Sequence, residues 1–278
     1  MKRLLSIEFQ KIWLNKASRV LSLTYFILLS FIALIVSIKF DFGPFKFNLA
    51  EMGIFNFPYI WHLNTYIAIW FKLFLAVIIV SMTANEYTYG TLKQNLIDGM
   101  SKKEFLLSKF ITVVVFALAS TVFIFIMTLI LGYSFSSYTE IGIVFSDLQY
   151  IGGYFVNLLG FFSFCLFAGI LIKRSAFALG FLFIWFLVEG LIGILLKWLV
   201  FNTWDSVFKV TSFLPLQAIS NLIVEPVTRL SMIKAIGTQT GMNYTKDYDV
   251  HFSAILIVLV WTALFVFMSY RLLKKRDL

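Results

Sequence analysis

The chain has 278 residues, of which 60% are hydrophobic and 13% charged, with a formal net charge of +9 and a mean hydropathy of +0.91. Soluble domains carry about a quarter charged residues, so this composition excludes an ordinary water-soluble fold. The basic residues sit at the ends of apolar runs instead of gathering on one polar face, so nucleic acid is not an expected partner.

Residues 1–19 place Leu5, Phe9, Ile12 and Trp13 at helical spacing among Lys2, Arg3, Lys11 and Lys16. This predicts a helix lying on the inner membrane surface, its apolar side toward lipid and its basic groups toward anionic headgroups. The apolar run that follows is long and lacks a small-residue cleavage site, so it reads as a retained span and not a removable signal.

A bilayer core needs about 20 apolar residues per helix. Runs at 20–38, 63–84, 110–133, 150–172, 176–200 and 252–270 meet that length. With the N-terminus inside, Lys39, Lys46, Lys209, Arg229, Lys234 and Lys246 fall outside, Lys72 and Lys197 fall within spans, and every other Lys or Arg falls inside. Positive charge is retained on the cytoplasmic side, so both termini are expected there. The expected fold is all-α: a single polytopic transmembrane domain of six transmembrane helices.

The outer loops are unequal. Residues 39–62 are aromatic-rich and contain Pro44 and Pro58, whereas 201–250 is far longer than an ordinary connection. Within it, 213–224 is too apolar for a free loop and too short to span, which predicts a re-entrant or interfacial helix with Pro215 near its start. A second short helix is expected over 227–236, and no internal repeat is found.

Several chemistries are absent from the sequence. There is no G-x-x-x-x-G-K-[ST] loop and no H-E-x-x-H, and the only histidines, His62 and His251, flank spans and read as interfacial polar residues. Cys165 is single and lies in an apolar run, where it reads as a small buried hydrophobe. No catalytic residue, metal or cofactor is expected on this chain.

The most informative segment is the inner loop 85–109, N-E-Y-T-Y-G-T-L-K-Q-N-L-I-D-G-M-S-K-K-E-F-L-L-S-K. Leu92, Leu96 and Ile97 predict an apolar face on a short helix, a shape suited to a groove on a cytoplasmic partner. Here the chain resembles the permease subunits of ATP-binding-cassette exporters of the ABC-two type. Their pattern runs acidic residue, Gly-Thr, a Leu-bearing helix, a small or polar residue with Arg or Lys, Glu-Phe and a final Lys. Glu86, Gly90, Thr91, Leu92, Leu96, Ser101, Lys103, Glu104, Phe105 and Lys109 follow that order. The chain departs from it at Asp98-Gly99, where many members have an apolar residue and proline, and at Lys103, where Arg is common.

The resemblance extends over nearly the whole chain and implies a division of labour. A separate cytoplasmic ATPase subunit would hold ATP and Mg, and Glu86, Gly90, Thr91, Leu92, Leu96, Ser101, Lys103 and Glu104 would transmit its movement to the spans. A second permease copy, identical or different, would complete a pathway for a lipid-like, peptide or drug-like substrate across a bacterial cytoplasmic (inner) membrane. An ion-coupled secondary transporter, a non-transporting scaffold and an intramembrane enzyme are the rival readings.

Two charges lie deep within spans. Lys72 and Glu189 are about 18 and 21 Å from the inner ends of their helices at 1.5 Å per residue, so they are expected to pair, within one subunit or across a dimer. Phe213, Leu214, Pro215, Leu216 and Ile219 are the expected outer gate.

Overall fold

A bilayer offers the backbone no hydrogen-bond partner, so uninterrupted apolar runs become helices that satisfy their own N–H and C=O groups. The computed structural model of the chain describes residues 2–37, 40–42, 45–47, 53–201, 203–229 and 246–276. Its helices in order are α1 (Lys2–Leu14), α2 (Lys16–Ser37), α3 (Tyr59–Thr88), α4 (Thr91–Ile97), α5 (Lys102–Phe135) and α6 (Ile141–Val144). They continue as α7 (Gln149–Ile172), α8 (Ser175–Leu199), α9 (Trp204–Thr211), α10 (Pro215–Ser220) and α11 (Phe252–Lys275).

Helices α3, α5, α7, α8 and α11 are long and apolar enough to cross a membrane, so the chain is a multi-pass, helical membrane protein with five candidate crossings among the described residues. Helix α2 covers most of the first expected run, 20–38. One element was not expected: a short antiparallel hairpin, β1 (Phe40–Phe42) against β2 (Phe45–Phe47), with Phe40 opposite Phe47.

Two crossings outgrow their expected limits. Helix α5 has 34 residues and α3 has 30, about 51 and 45 Å of helix against about 30 Å of hydrocarbon. The surplus on α5 comes from local chemistry: Ser101 accepts from the Glu104 N–H while the Glu104 carboxylate accepts from the Ser101 N–H, so the helix starts at Lys102 and not near 110.

Helix α7 is the centre of the bundle, with 72% of its apolar window buried, whereas α8, at 11%, is peripheral. Helices α3, α7 and α11 run side by side in one direction. His62 near the start of α3 stacks on Tyr150 at the start of α7, and Phe164 of α7 meets Phe265 of α11 at 4.8 Å between ring centroids. Near its end α7 presents Gly169 to α3, where an added Cβ would lie 3.1 Å from Thr83 Cβ. On its other side a Cβ at Gly160 would lie 2.6 Å from Val258 of α11. Small residues at such crossings let membrane helices approach closely. Gly160→Leu should therefore lower stability by about 1–3 kcal/mol, read as the thermal midpoint in detergent; an unchanged midpoint would contradict the close packing.

The outer segment differs in detail from expectation. The apolar stretch 213–224 contains α10, six residues with Pro215 in the first turn, and an unexpected α9 precedes it. The expected helix over 227–236 is a single 3-10 turn, Val227–Arg229, within the described residues; its remainder lies outside them. In α1 the bundle-facing side is Glu8 and Ile12, while Trp13, with Leu5, Phe9 and Ile12 expected on one apolar face, turns outward at 56% exposure with Leu14 at 70%. An acidic residue was drawn inward because a lysine awaits it there.

Candidate functional site

That lysine is Lys109, on the second turn of α5 and fully buried. Its ammonium donates to Glu8 of α1 at 2.6 Å, to Glu86 of α3 at 2.8 Å and to the Met82 carbonyl at 3.3 Å. All three of its protons are used, which is the condition for a buried lysine to stay charged without a large penalty. Glu86 accepts in addition from Lys11 of α1 at 2.9 Å on the same oxygen, and its other oxygen accepts from the Thr91 hydroxyl. Glu8 also lies 4.0 Å from Lys11. Two carboxylates and two ammonium groups thus alternate, with no net charge.

The cluster joins four pieces of chain. Helix α1 contributes Glu8 and Lys11, α3 contributes Glu86, α5 contributes Lys109, and Thr91 is the first residue of α4. Gly90 makes the turn from α3 into α4 at φ 69°, a left-handed conformation that costs an L side chain energy. A pocket of about 240 Å³ opens beside the cluster, lined by Lys11, Asn15, Asn85, Tyr89 and Thr91 among others.

The expected loop residues divide between this cluster and local structure. Leu92 is buried and Leu96 packs on the core, so α4 turns its leucines inward; Ile97 does not share their face and is 75% exposed beside Lys93 and Gln94. Only two residues separate α3 from α4, and this short tether presses the leucine side onto the bundle. Any partner would meet Tyr89, Lys93, Gln94 and Ile97, not the leucine face. Ser101 and Glu104 are exposed and engage each other as the α5 cap, and Lys103 is exposed beside them. Glu8 was missed because an acid in a basic leader carries no periodic signal, and Lys11, expected toward the headgroups, donates to Glu86 instead.

Lys72 and Glu189 do not meet within the chain. The Lys72 ammonium donates to Asn157 Oδ1 at 2.9 Å and lies 4.5 Å from the Phe161 ring centroid. Glu189 accepts from the indole of Trp185 at 2.7 Å and from the backbone N–H groups of Leu216 and Gln217 at 3.0 and 2.9 Å. Equal depth did not bring them together because the helices' rotations aim them at different neighbours. Both neighbours nevertheless lead to α10. Glu189 satisfies the free N–H groups of its first turn, and Asn157, holding Lys72 with its oxygen, donates with its nitrogen to the Ile219 carbonyl near its end. The negative group sits at the N-terminal end and the positive group behind the C-terminal end, each matching the helix dipole.

The expected gate residues belong to this latch. Leu214 precedes the helix in extended backbone, Pro215 opens it, Leu216 donates to Glu189, and Ile219 is buried against Gly160. Phe213 is 61% exposed and its carbonyl accepts from the Trp261 indole at 2.8 Å. The double exchange Lys72→Glu with Glu189→Lys should be no better folded than either single variant. Recovery of the thermal midpoint by the double exchange would contradict this geometry.

Two further polar groups were not expected. The hydroxyls of Tyr25, Ser120 and Tyr154 form a closed buried triangle joining α2, α5 and α7, with Tyr154 2.8 Å from each of the others. His62, read as an interfacial residue, is buried; its Nε2 donates to the Val224 carbonyl at 2.7 Å and its ring stacks 4.1 Å from Tyr150. At the same end Arg229 pairs with Asp147 at 2.9 Å, and Lys246 with Glu225 at 2.8 Å. Burial pushes the Glu225 carboxyl up, but the Lys246 ammonium and the Thr228 hydroxyl and N–H outweigh it and hold the group below its usual value. His251 lies 2.9 Å from Asp247 and precedes α11. Cys165 is buried and free, and no cluster of three metal-ligating side chains occurs among the described residues.

No curated protein matches the chain. A family model described as "Protein of unknown function (DUF2705)" matches residues 25–278, and that span contains α3, α4, α5, the α10 latch and the last crossing. The chain therefore belongs to the DUF2705 family, whose model matches it from residue 25 to residue 278.

Proposed function

We propose that the chain is the permease subunit of an ATP-driven exporter, working with a separate cytoplasmic ATPase and a second permease copy. The observation that carries this reading is the Glu8–Lys109–Glu86–Lys11 cluster. It ties the loop after α3 to the start of α5 and to α1 through buried, fully engaged charges, so a push on α4 is delivered to two crossings together. An ordinary connecting loop has no need of such a tie.

In this reading α2 is a sixth crossing, both termini are cytoplasmic, and α1 rests at the inner surface of the bacterial cytoplasmic membrane with Trp13 and Leu14 toward lipid. The ATPase docks against the outward side of α4, at Tyr89, Lys93, Gln94 and Ile97. Helix α10, held by Glu189 and Asn157, closes the outer mouth, and the aromatic, apolar bundle suits a lipid-like, peptide or drug-like substrate.

The test is to express the chain with a candidate cytoplasmic ATPase subunit and purify the two together. Assembly is expected, and Glu86→Ala should leave ATP hydrolysis running while transport into proteoliposomes falls at least about tenfold. A chain that purifies alone and transports without ATP would overturn the reading in favour of an ion-coupled transporter. Thiol labelling of single cysteines placed at Trp13 and Tyr138 reports which side each end faces.

A further inference from the structure

The pocket beside the charge cluster lies where the chain turns from α1 into α2. Asn15 breaks the helix there. Its side-chain oxygen accepts from the Ser18 N–H at 3.2 Å and so caps α2, while the N–H groups of Lys16 and Ala17 have no acceptor among the described residues. The start of this 22-residue helix is a partial positive charge with donors to spare. A second, independent feature points to a ligand. Ser18 is only 7% exposed and lines the pocket, and its hydroxyl has no hydrogen-bond partner among the described residues. A buried hydroxyl is seldom left so unless something from outside meets it.

The pocket wall carries charge of both signs. The half-exposed Lys11 gives one proton to Glu86 at 2.9 Å and has two more to give. Glu8 uses its Oε2 on Lys109 at 2.6 Å, and its Oε1 lies 4.0 Å from the Lys11 ammonium, beyond hydrogen-bond reach. An anion alone would face Glu8 and Glu86, and a cation alone would face Lys11 and Lys109. A group carrying both charges can meet each with its opposite. The volume, about 240 Å³, falls below the roughly 300–1,000 Å³ of pockets that enclose whole small molecules, so it suits a headgroup and not an entire lipid. Ile12 and Met82 add an apolar wall for a short carbon linker.

We propose that this pocket binds the phosphoethanolamine headgroup of a phospholipid, with the phosphate against Ser18, Lys11 and the start of α2 and the ammonium against Glu8 and Glu86. The inference rests on α1 lying at the inner membrane surface, as in the reading above, which brings headgroups to that depth. An ethanolamine ammonium donates hydrogen bonds to carboxylates, which a choline cannot do.

The purified full-length chain, in a polyoxyethylene detergent, is titrated with phosphatidylethanolamine, phosphatidylcholine or phosphatidylglycerol, and retained lipid is counted by native mass spectrometry. Phosphatidylethanolamine should be retained over both others, since one lacks the donor for Glu8 and the other lacks the cation. Ser18→Ala should weaken that retention at least about tenfold, the worth of a hydrogen bond to a charged group. It removes no hydrogen bond within the described protein, so its thermal midpoint should not move, which separates lost binding from lost folding. Ser6→Ala with Lys93→Gln, changes on exposed residues outside the pocket, should leave retention as it was. Equal retention of the three lipids, preference for phosphatidylglycerol, or undiminished retention in Ser18→Ala would overturn the proposal. Displacement by soluble phosphoethanolamine would support it and show that the headgroup suffices; retention despite it would support it and assign the acyl chains a share. Failure of an ATPase to assemble with the chain would count against the transport reading and not against this site. Were the membrane reading itself wrong, the chain would be recovered without detergent, an outcome distinct from any of these.

Discussion

Replacing Lys109 with alanine is expected to give the largest loss of stability of any single substitution in the chain, about 3–5 kcal/mol. The lysine is buried and stands between Glu8 and Glu86 at 2.6 and 2.8 Å. Its removal leaves two buried carboxylates facing each other, with only the half-exposed Lys11 to share, and a carboxylate stripped of its partner is far more costly than a pair exchanged for apolar groups. The loss should therefore shrink when Glu8→Gln and Glu86→Gln are added, since neutral amides need no cation. Thermal unfolding of the single and triple variants in one detergent checks this. A triple variant no more stable than Lys109→Ala would mean that the loss came from packing against Phe105, over whose ring the ammonium lies at 5.4 Å, and not from charge.

The second large effect is expected at Glu189. Glu189→Ala removes the acceptor of three donors at once: the Trp185 indole and the N–H groups of Leu216 and Gln217. Each buried donor left without a partner costs about 1–3 kcal/mol, although single hydrogen bonds inside membrane proteins average about 0.6 kcal/mol. With a charged acceptor shared by three donors, a loss of about 3 kcal/mol is expected. Because two of the donors open α10, much of that loss should appear as detachment of α10 and not as global unfolding. Ile219 is buried to 1% exposure, so a cysteine there, in a Cys165→Ser background, reports detachment by its reaction with a water-soluble thiol reagent. Labelling should accelerate at least about tenfold in Glu189→Ala and less in Glu189→Gln, which keeps an amide oxygen. Asn157→Leu should accelerate it too, by releasing the Ile219 carbonyl and stranding Lys72. Unchanged labelling in both variants would refute the latch.

The same two clusters show where sequence reading succeeds. Residues 63–84, 110–133, 150–172, 176–200 and 252–270 were legible as crossings because apolar length is a property of the segment itself. Pro215 likewise announces where α10 begins, whereas Ser101 and Glu104 were read only as part of the loop and the start they give α5 was missed. The loop from Glu86 to Lys109 was legible as special, but the residue that completes its charge, Glu8, lies in a segment whose pattern pointed only to a surface helix. Ile97 looked like part of the leucine face, yet the two-residue tether to α3 rotated it outward.

What sequence alone determined is which long segments are helical and apolar enough to cross, since hydropathy is a property of the segment itself; it did not determine their ends, for α3 and α5 run several residues past the expected limits. What only the tertiary structure decided is the partner of every buried charge. Lys72 found Asn157, Glu189 found the start of α10, and Lys109 found Glu8, because the choice depends on each helix's rotation and on which helix stands beside it. A crossing that is apolar on every face leaves no periodic pattern from which to read either. Glycines 160 and 169 permit the close approach of α11 and α3 to α7, which only the packed structure reveals.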